Sequence, residues 1–272
     1  MSYLLDNQQA EAGDRFAALA TLFNPSTFRH IEALGIGPDW RCWEVGAGGP
    51  SLPAWLASQA GYVLATDIDV SWLPATSSEV RSSEVRSSAV RSFEVRRHDV
   101  GAEPPPARDF DLIHARLVLV HVPQREAALA AMVDALRPGG WLLLEEADPA
   151  LQPLVCPDEP GPEQRLANKL KRDFRTLMAQ RGADLAYGRT LPRIMRNAGL
   201  LNVEADAYFP MTGPACTMLE QATIAQIRDR LVAASLATDT EIDEHLANLV
   251  STPLDLATSP MISAWGRKPA TS

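Results

Sequence analysis

Trp43-Glu44-Val45-Gly46-Ala47-Gly48-Gly49-Pro50-Ser51 is the stretch that decides the fold. The apolar residues leading to Gly46 suit a buried strand, and the glycines after them permit a turn too tight for most side chains. Ser51 to Ala60 has helical spacing, with Pro53 tolerated in the first turn and Gly61 read as the C-terminal cap. Tyr62 to Thr66 is a second apolar run, ending at Asp67-Ile68-Asp69. Strand, glycine turn, helix, strand and carboxylate, in that order, predict the opening half of a parallel α/β sheet.

The pattern continues downstream. Phe93 to Arg97 and Phe110 to Ala115 read as strands, and Gln124 to Leu136 as a helix stopped by Arg137-Pro138-Gly139-Gly140. Trp141 to Glu145 is almost wholly apolar, as a central strand with both faces covered should be. Alternating strands and helices imply right-handed crossovers. Upstream, residues 9–23 and 25–34 read as two helices, the second closing at Gly35. Beyond 149 a proline-rich loop leads to helices over 163–181, 190–198, 215–235 and 240–250, with strands at Asn202 to Phe209 and Met261 to Gly266. The expected organisation is one domain: a helical cover (1–37), a core (38–148), and lid helices with the last two strands (149–272).

One segment fits neither period. Ser77-Ser78-Glu79-Val80-Arg81 recurs at 82–86, 87–91 and 92–96 with small changes. A five-residue step places successive valines roughly 140° apart around a helix and on alternate faces of a strand, so no face collects them. Residues 76–92 are therefore expected to be a duplicated, loosely structured insertion.

Composition narrows the function. Among 272 residues, 46% are hydrophobic and 22% charged, which suits a globular chain with a sizeable core. No apolar run nears the ~18 residues of a membrane span, and the N-terminus lacks the basic and apolar regions of a secretory leader. Cys42, Cys156 and Cys216 have neither metal-site nor disulfide spacing, so a reducing cytoplasm is expected. A net charge of −9 argues against nucleic acid as substrate.

The chemistry lies at the glycine turn. Gly46 and Gly48 let backbone approach a ligand, and Asp67 follows 21 residues after Gly46, where its carboxylate can accept both hydroxyls of a ribose. A dinucleotide needs amide donors for its pyrophosphate. Pro50 removes one donor, and Glu44 puts negative charge beside the turn, so a cationic sulfonium ligand with an amino-acid tail suits the site better. Glu44 could hold that ligand's ammonium.

These motifs resemble the class I S-adenosylmethionine-dependent methyltransferases, well over residues 40–150 and elsewhere in the order of elements. The family's acidic-x-Gly-x-Gly-x-Gly pattern matches Glu44, Gly46 and Gly48, with Ala47 between them and Pro50 in place of the third glycine. The resemblance implies that Asp67 binds the ribose and that Ile68 lies beside the adenine. It also implies that Asp99 with Val100 receives the adenine amino group. The strand-four segment ending in Ala115 and Arg116 is matched too. It implies a Rossmann-like sheet of seven strands, mostly parallel, with helices on both faces, the last strand antiparallel and inserted beside the fifth, and a helical lid.

Methyl transfer is a displacement at carbon that depends on alignment and on exclusion of water. His121, just past strand four, is the candidate base, with a packed structural histidine as the alternative. His114 is expected to be buried in the sheet. Arg116 could contact an acidic substrate, the cofactor carboxylate or an ordinary salt-bridge partner. Tyr187 and Arg189 are pocket candidates or loop anchors. Glu145, Glu146 and Asp148 could hold Mg²⁺ as in one catechol-acting branch, but strand four lacks that branch's aspartate, so no metal is expected. The expected activity is methylation of a small organic acceptor at oxygen, nitrogen or carbon. High Ala, Pro and Arg usage looks like that of a high-GC bacterial genome, and the resemblance to the family's small-molecule branch implies a tailoring role in secondary metabolism. The rival readings are an NAD-dependent oxidoreductase and a non-catalytic cofactor-binding protein. No motif specifies the acceptor, and nothing fixes an oligomeric state.

Overall fold

The computed structural model describes residues 11–74 and 92–270. Most of the pentapeptide repeat, including its expected loose structure, lies outside the described residues.

Seven strands form one sheet: β1 (Arg41–Val45), β2 (Tyr62–Asp67), β3 (Glu94–Arg97), β4 (Phe110–Arg116), β5 (Leu136–Ala147), β6 (Leu201–Tyr208) and β7 (Met261–Arg267), in the order β3-β2-β1-β4-β5-β7-β6. β1 pairs in parallel with β2 and β4, β2 with β3, and β4 with β5. β7 runs the other way. Gly139 and Lys268 exchange backbone bonds (Gly139 N–H to Lys268 O, 3.0 Å; Lys268 N–H to Gly140 O, 2.9 Å), while Asp148 N–H donates to Pro260 O at 2.9 Å. Numbers that rise along β5 as they fall along β7 define an antiparallel pair. The expected mostly parallel sheet, with its last strand reversed and inserted beside the fifth, is what forms.

The helices are α1 (Glu11–Ala33), α2 (Ser51–Gln59), α3 (Arg125–Ala135), α4 (Pro162–Gln180), α5 (Leu191–Asn197), α6 (Pro214–Ala233) and α7 (Asp239–Ser251). Three differences from expectation have local causes. The two N-terminal helices are one, with Pro25 inside it, because a proline removes only a single i→i−4 bond and the flanking turns carry on. The C-cap of α2 is Ala60 rather than Gly61. Gly61 is needed for a different reason: a β-carbon there would lie 2.4 Å from the Pro38 carbonyl oxygen. Strand β5 starts at Leu136, earlier than expected, because a register shift between Phe110 and Leu112 absorbs Arg137 to Gly140 within the strand.

The chain divides into two compact units. One comprises Ser26–Glu146, Thr190–Asp206 and the chain from Ser263, and holds most of the sheet. Part of its core packs Leu52, Leu56 and Ala57 of α2 against Val63, Ala65 and Phe93. The other comprises the chain up to Pro25, Ala147–Arg189 and Ala207–Ile262. Its core joins Leu170, Phe174 and Leu177 of α4 to Ile224, Ile227 and Leu231 of α6 and Ile242 of α7.

Candidate active site

The glycine turn follows β1 at the carboxyl edge of the sheet. Gly46 and Gly48 both take left-handed backbone (φ 64° and 63°), which glycine adopts without steric cost. This geometry aims the Gly48 N–H at the Asp67 Oδ2 (2.9 Å), while Oδ1 accepts the Asp69 N–H at 3.0 Å. A carboxylate offers about four lone-pair sites, so Asp67 keeps capacity for ligand hydroxyls. Burial raises its pKa, only partly offset by those backbone bonds, and further donors would favour the charged form. Beside it Ile68 is 55% exposed, an uncommon position for an isoleucine at the end of a buried strand. A β-carbon at Gly49 would meet no atom within 4 Å. An open turn, a carboxylate with acceptor capacity and an exposed apolar face together fit an adenosine-type ligand.

Asp99 sits just past β3, where its Oδ1 accepts the Gly101 N–H at 2.9 Å, and Val100 beside it is buried. At the end of β4, Ala115 is buried and Arg116 donates from Nη1 to the Thr27 hydroxyl at 3.0 Å. Its partner is therefore a residue of α1. His121 ends a short 3-10 turn (Leu119–His121) after β4 and is exposed, which does not match the packed-histidine alternative.

Glu44 is deeply buried, and its Oε2 lies 2.7 Å from Nδ1 of His114, its register partner on β4. His114 is buried in the sheet as expected. Its Nε2 lies 3.3 Å from Glu145 Oε2 on β5. Burial alone would lower the His114 pKa, but the two carboxylates outweigh it and raise it to about 9. The imidazolium is therefore the form held between them at neutral pH. Glu145 goes the other way: the hydrogen bond from His114 and the nearby His30, with Nδ1 at 3.5 Å, overcome burial and hold its carboxyl well below the usual range. Ser263 and Thr27 hydroxyls also donate to Glu145 (2.7 and 2.5 Å), and His30 joins it to Asp206 through Nε2 at 3.0 Å. Sequence reasoning missed Thr27, His30, Ser263 and Asp206 as members of this network. The visible signal was Glu44, His114 and Glu145, ionisable residues inside largely apolar strands.

The strand order differs from that of a dinucleotide-binding sheet. A dinucleotide fold has the order 3-2-1-4-5-6, whereas here a reversed β7 separates β5 from β6. Residues 43–142 match the family model described as a methyltransferase domain. Over those residues the chain matches a methyltransferase domain, and its fold is that of the class I S-adenosylmethionine-dependent methyltransferases. Two curated relatives are methyltransferases of Strobilurus tenacellus. Str2 is 38% identical over 85 residues, 31% of this chain and 29% of that protein. Str3 is 27% identical over 130 residues, 44% of this chain and 45% of that protein. The match thus spans less than half the length of either. A putative methyltransferase from Bacillus halodurans shares the fold (TM-score 0.56, 14% identity, 88% of this chain and 97% of that one). So does the Haemonchus contortus phosphoethanolamine N-methyltransferase 2, solved with S-adenosyl-L-methionine (TM-score 0.57, 16% identity, 99% and 60%).

The remaining candidates have other partners. Arg189, in the other compact unit, grips Asp148 through Nε (2.7 Å), Nη2 (2.6 Å) and its backbone N–H (3.0 Å), which is an anchoring contact. Tyr187 is buried nearby in sequence. Each acid past the middle of β5 has its own set of donors: Glu145 the network above, Glu146 three backbone amides, and Asp148 the Arg189 side chain. Among the described residues no group of three His, Cys, Asp or Glu side chains is arranged to hold a metal ion.

Proposed function

We propose that this methyltransferase moves a methyl group from S-adenosylmethionine to a small organic acceptor, at oxygen, nitrogen or carbon. The observation that carries the proposal is the open glycine turn with Asp67 engaged by the Gly48 amide, at the carboxyl edge of a sheet with the family's strand order. Bound there, the cofactor supplies an electrophilic methyl group on a sulfonium centre. Asp67 accepts the ribose hydroxyls, Ile68 covers the adenine, and Asp99 with Val100 receives its amino group. The backbone of Gly46, Ala47 and Gly48 lies along the amino-acid tail, with Ala115 and Arg116 closing the far side. Glu44 acts on the tail's ammonium through the field of a carboxylate already paired to His114. His121, exposed past β4, takes the acceptor's proton where the acceptor is a hydroxyl or an ammonium.

Arg189 fixes its own loop through its bonds to Asp148. Glu145, Glu146 and Asp148 each take hydrogen bonds from separate protein donors, which supports a reaction without a bound metal. A net charge of −9 supports a small-molecule substrate over nucleic acid. Among the described residues no helix is long and apolar enough to cross a membrane, and three buried free cysteines support a cytoplasmic setting. Residue usage supports a bacterial source and the family's small-molecule branch a tailoring role, whereas the two curated relatives are fungal.

Titration calorimetry with S-adenosylhomocysteine, followed by transfer from methyl-labelled cofactor across an acceptor panel, tests this reading. Binding is expected, with Asp67→Ala weakening it by about 1–3 kcal/mol through lost charged hydrogen bonds. A folded wild-type protein that binds no S-adenosylhomocysteine would overturn the proposal.

A further inference from the structure

Three consecutive backbone amides converge on one buried oxygen. Glu146, the second-last residue of β5, is 1% exposed. Its Oε1 accepts the N–H groups of Val118 (3.1 Å), Leu119 (2.6 Å) and Val120 (3.3 Å). Its Oε2 has no hydrogen-bond partner among the described residues. The turn held in this way begins at Leu117, whose backbone is left-handed (φ 58°), a conformation that a leucine keeps only when its surroundings impose it. Leu117 N–H is in turn fixed by the Glu145 carbonyl at 2.8 Å. The clamped turn presses on the glycine turn, since a β-carbon at Gly46 would lie 2.4 Å from Val118 Cγ2.

We propose that Glu146 is a positioning residue for the cofactor: by clamping the 117–121 turn it holds Val118 against Gly46 and so sets the path of the glycine turn. It touches neither cofactor nor acceptor. The inference rests on placing the cofactor at Gly46 to Gly48. Burial outweighs the three amides and the nearby Arg125 in raising the Glu146 pKa to about 8, so the group that clamps at neutral pH is mostly the uncharged acid. A glutamine, with the same acceptor oxygen and shape, should therefore replace it.

The test compares wild type, Glu146→Gln, Glu146→Ala and Val118→Ala by S-adenosylhomocysteine calorimetry, hydrogen exchange over residues 117–123, and steady-state kinetics. Glu146→Ala should weaken S-adenosylhomocysteine binding roughly 10–100-fold, speed exchange in that segment and raise KM for the cofactor more than it lowers kcat. Glu146→Gln should stay within about threefold of wild type in all three. Val118→Ala leaves the clamp intact but removes the contact with Gly46, so it should weaken binding without faster exchange. This variant keeps the idea testable if Glu146→Ala does not fold. Wild-type affinity in Glu146→Ala or in Val118→Ala would overturn the positioning role, as would a Glu146→Gln variant as weak as Glu146→Ala. No binding by wild type would instead overturn the cofactor placement on which the inference rests.

Discussion

Removing the charge of Glu44 should destabilise the protein in acid and neutral solution but not in alkali. The argument starts from His114, fully buried between Glu44 Oε2 at 2.7 Å and Glu145 Oε2 at 3.3 Å. Its pKa rises from 6.5 to about 9 because the two carboxylates outweigh burial. At about 1.4 kcal/mol per pKa unit, this amounts to about 3 kcal/mol of folding stability. A histidine whose proton is held more tightly when folded gives that stability in full below about pH 6.5, and the contribution fades as pH rises through about 9. Glu44 is the closer carboxylate, so its share is about 2 kcal/mol, in line with hydrogen bonds to charged groups. Glu44→Gln keeps the shape and one acceptor but removes the charge. Urea unfolding at pH 6 should show the variant about 2 kcal/mol less stable than wild type. By pH 9.5 the gap should close or reverse, because wild type then buries an uncompensated carboxylate. Parallel stability curves across that range, or a variant more stable than wild type at pH 6, would refute the ion-pair account.

Gly46→Ala should cost more stability than Gly35→Ala, although both glycines are left-handed (φ 64° and 89°). At Gly35 the new methyl meets nothing within 4 Å and the cost is about 1 kcal/mol of backbone strain. At Gly46 it collides with Val118 and adds about 1–3 kcal/mol of overpacking, measurable by urea unfolding. His121→Ala should lower kcat at neutral pH while leaving KM for the cofactor unchanged, which steady-state kinetics at saturating acceptor would show. An unchanged kcat would remove His121 from proton transfer. Asp148→Asn should destabilise by about 1–3 kcal/mol at pH 7, since it breaks a buried carboxylate's bonds to Arg189. The Asp148 pKa is lowered because those bonds overcome burial, so its contribution is present above about pH 4 and fades as pH falls.

The sequence by itself determined the alternation of elements, the place of the glycine turn and the acid at the end of β2. These follow from short-range periodicity and from residues that permit or forbid a backbone angle, both legible within a dozen positions. It also put Glu44 beside the turn, His114 inside the sheet, and Glu145 and Glu146 at the end of the fifth strand. What each charge meets was decided by tertiary structure. Glu44 and His114 are 70 residues apart, and only the register of β1 on β4 makes them neighbours on one face. Ser263 reaches Glu145 across 118 residues because β7 is inserted beside β5, a choice of strand order that no local pattern encodes. For the same reason, Glu145, Glu146 and Asp148, close together in the sequence, became three separate anchors. Side chains adjacent in sequence on a strand point to opposite faces, so Glu145 joined the histidine network while Glu146 turned to the 117–121 turn.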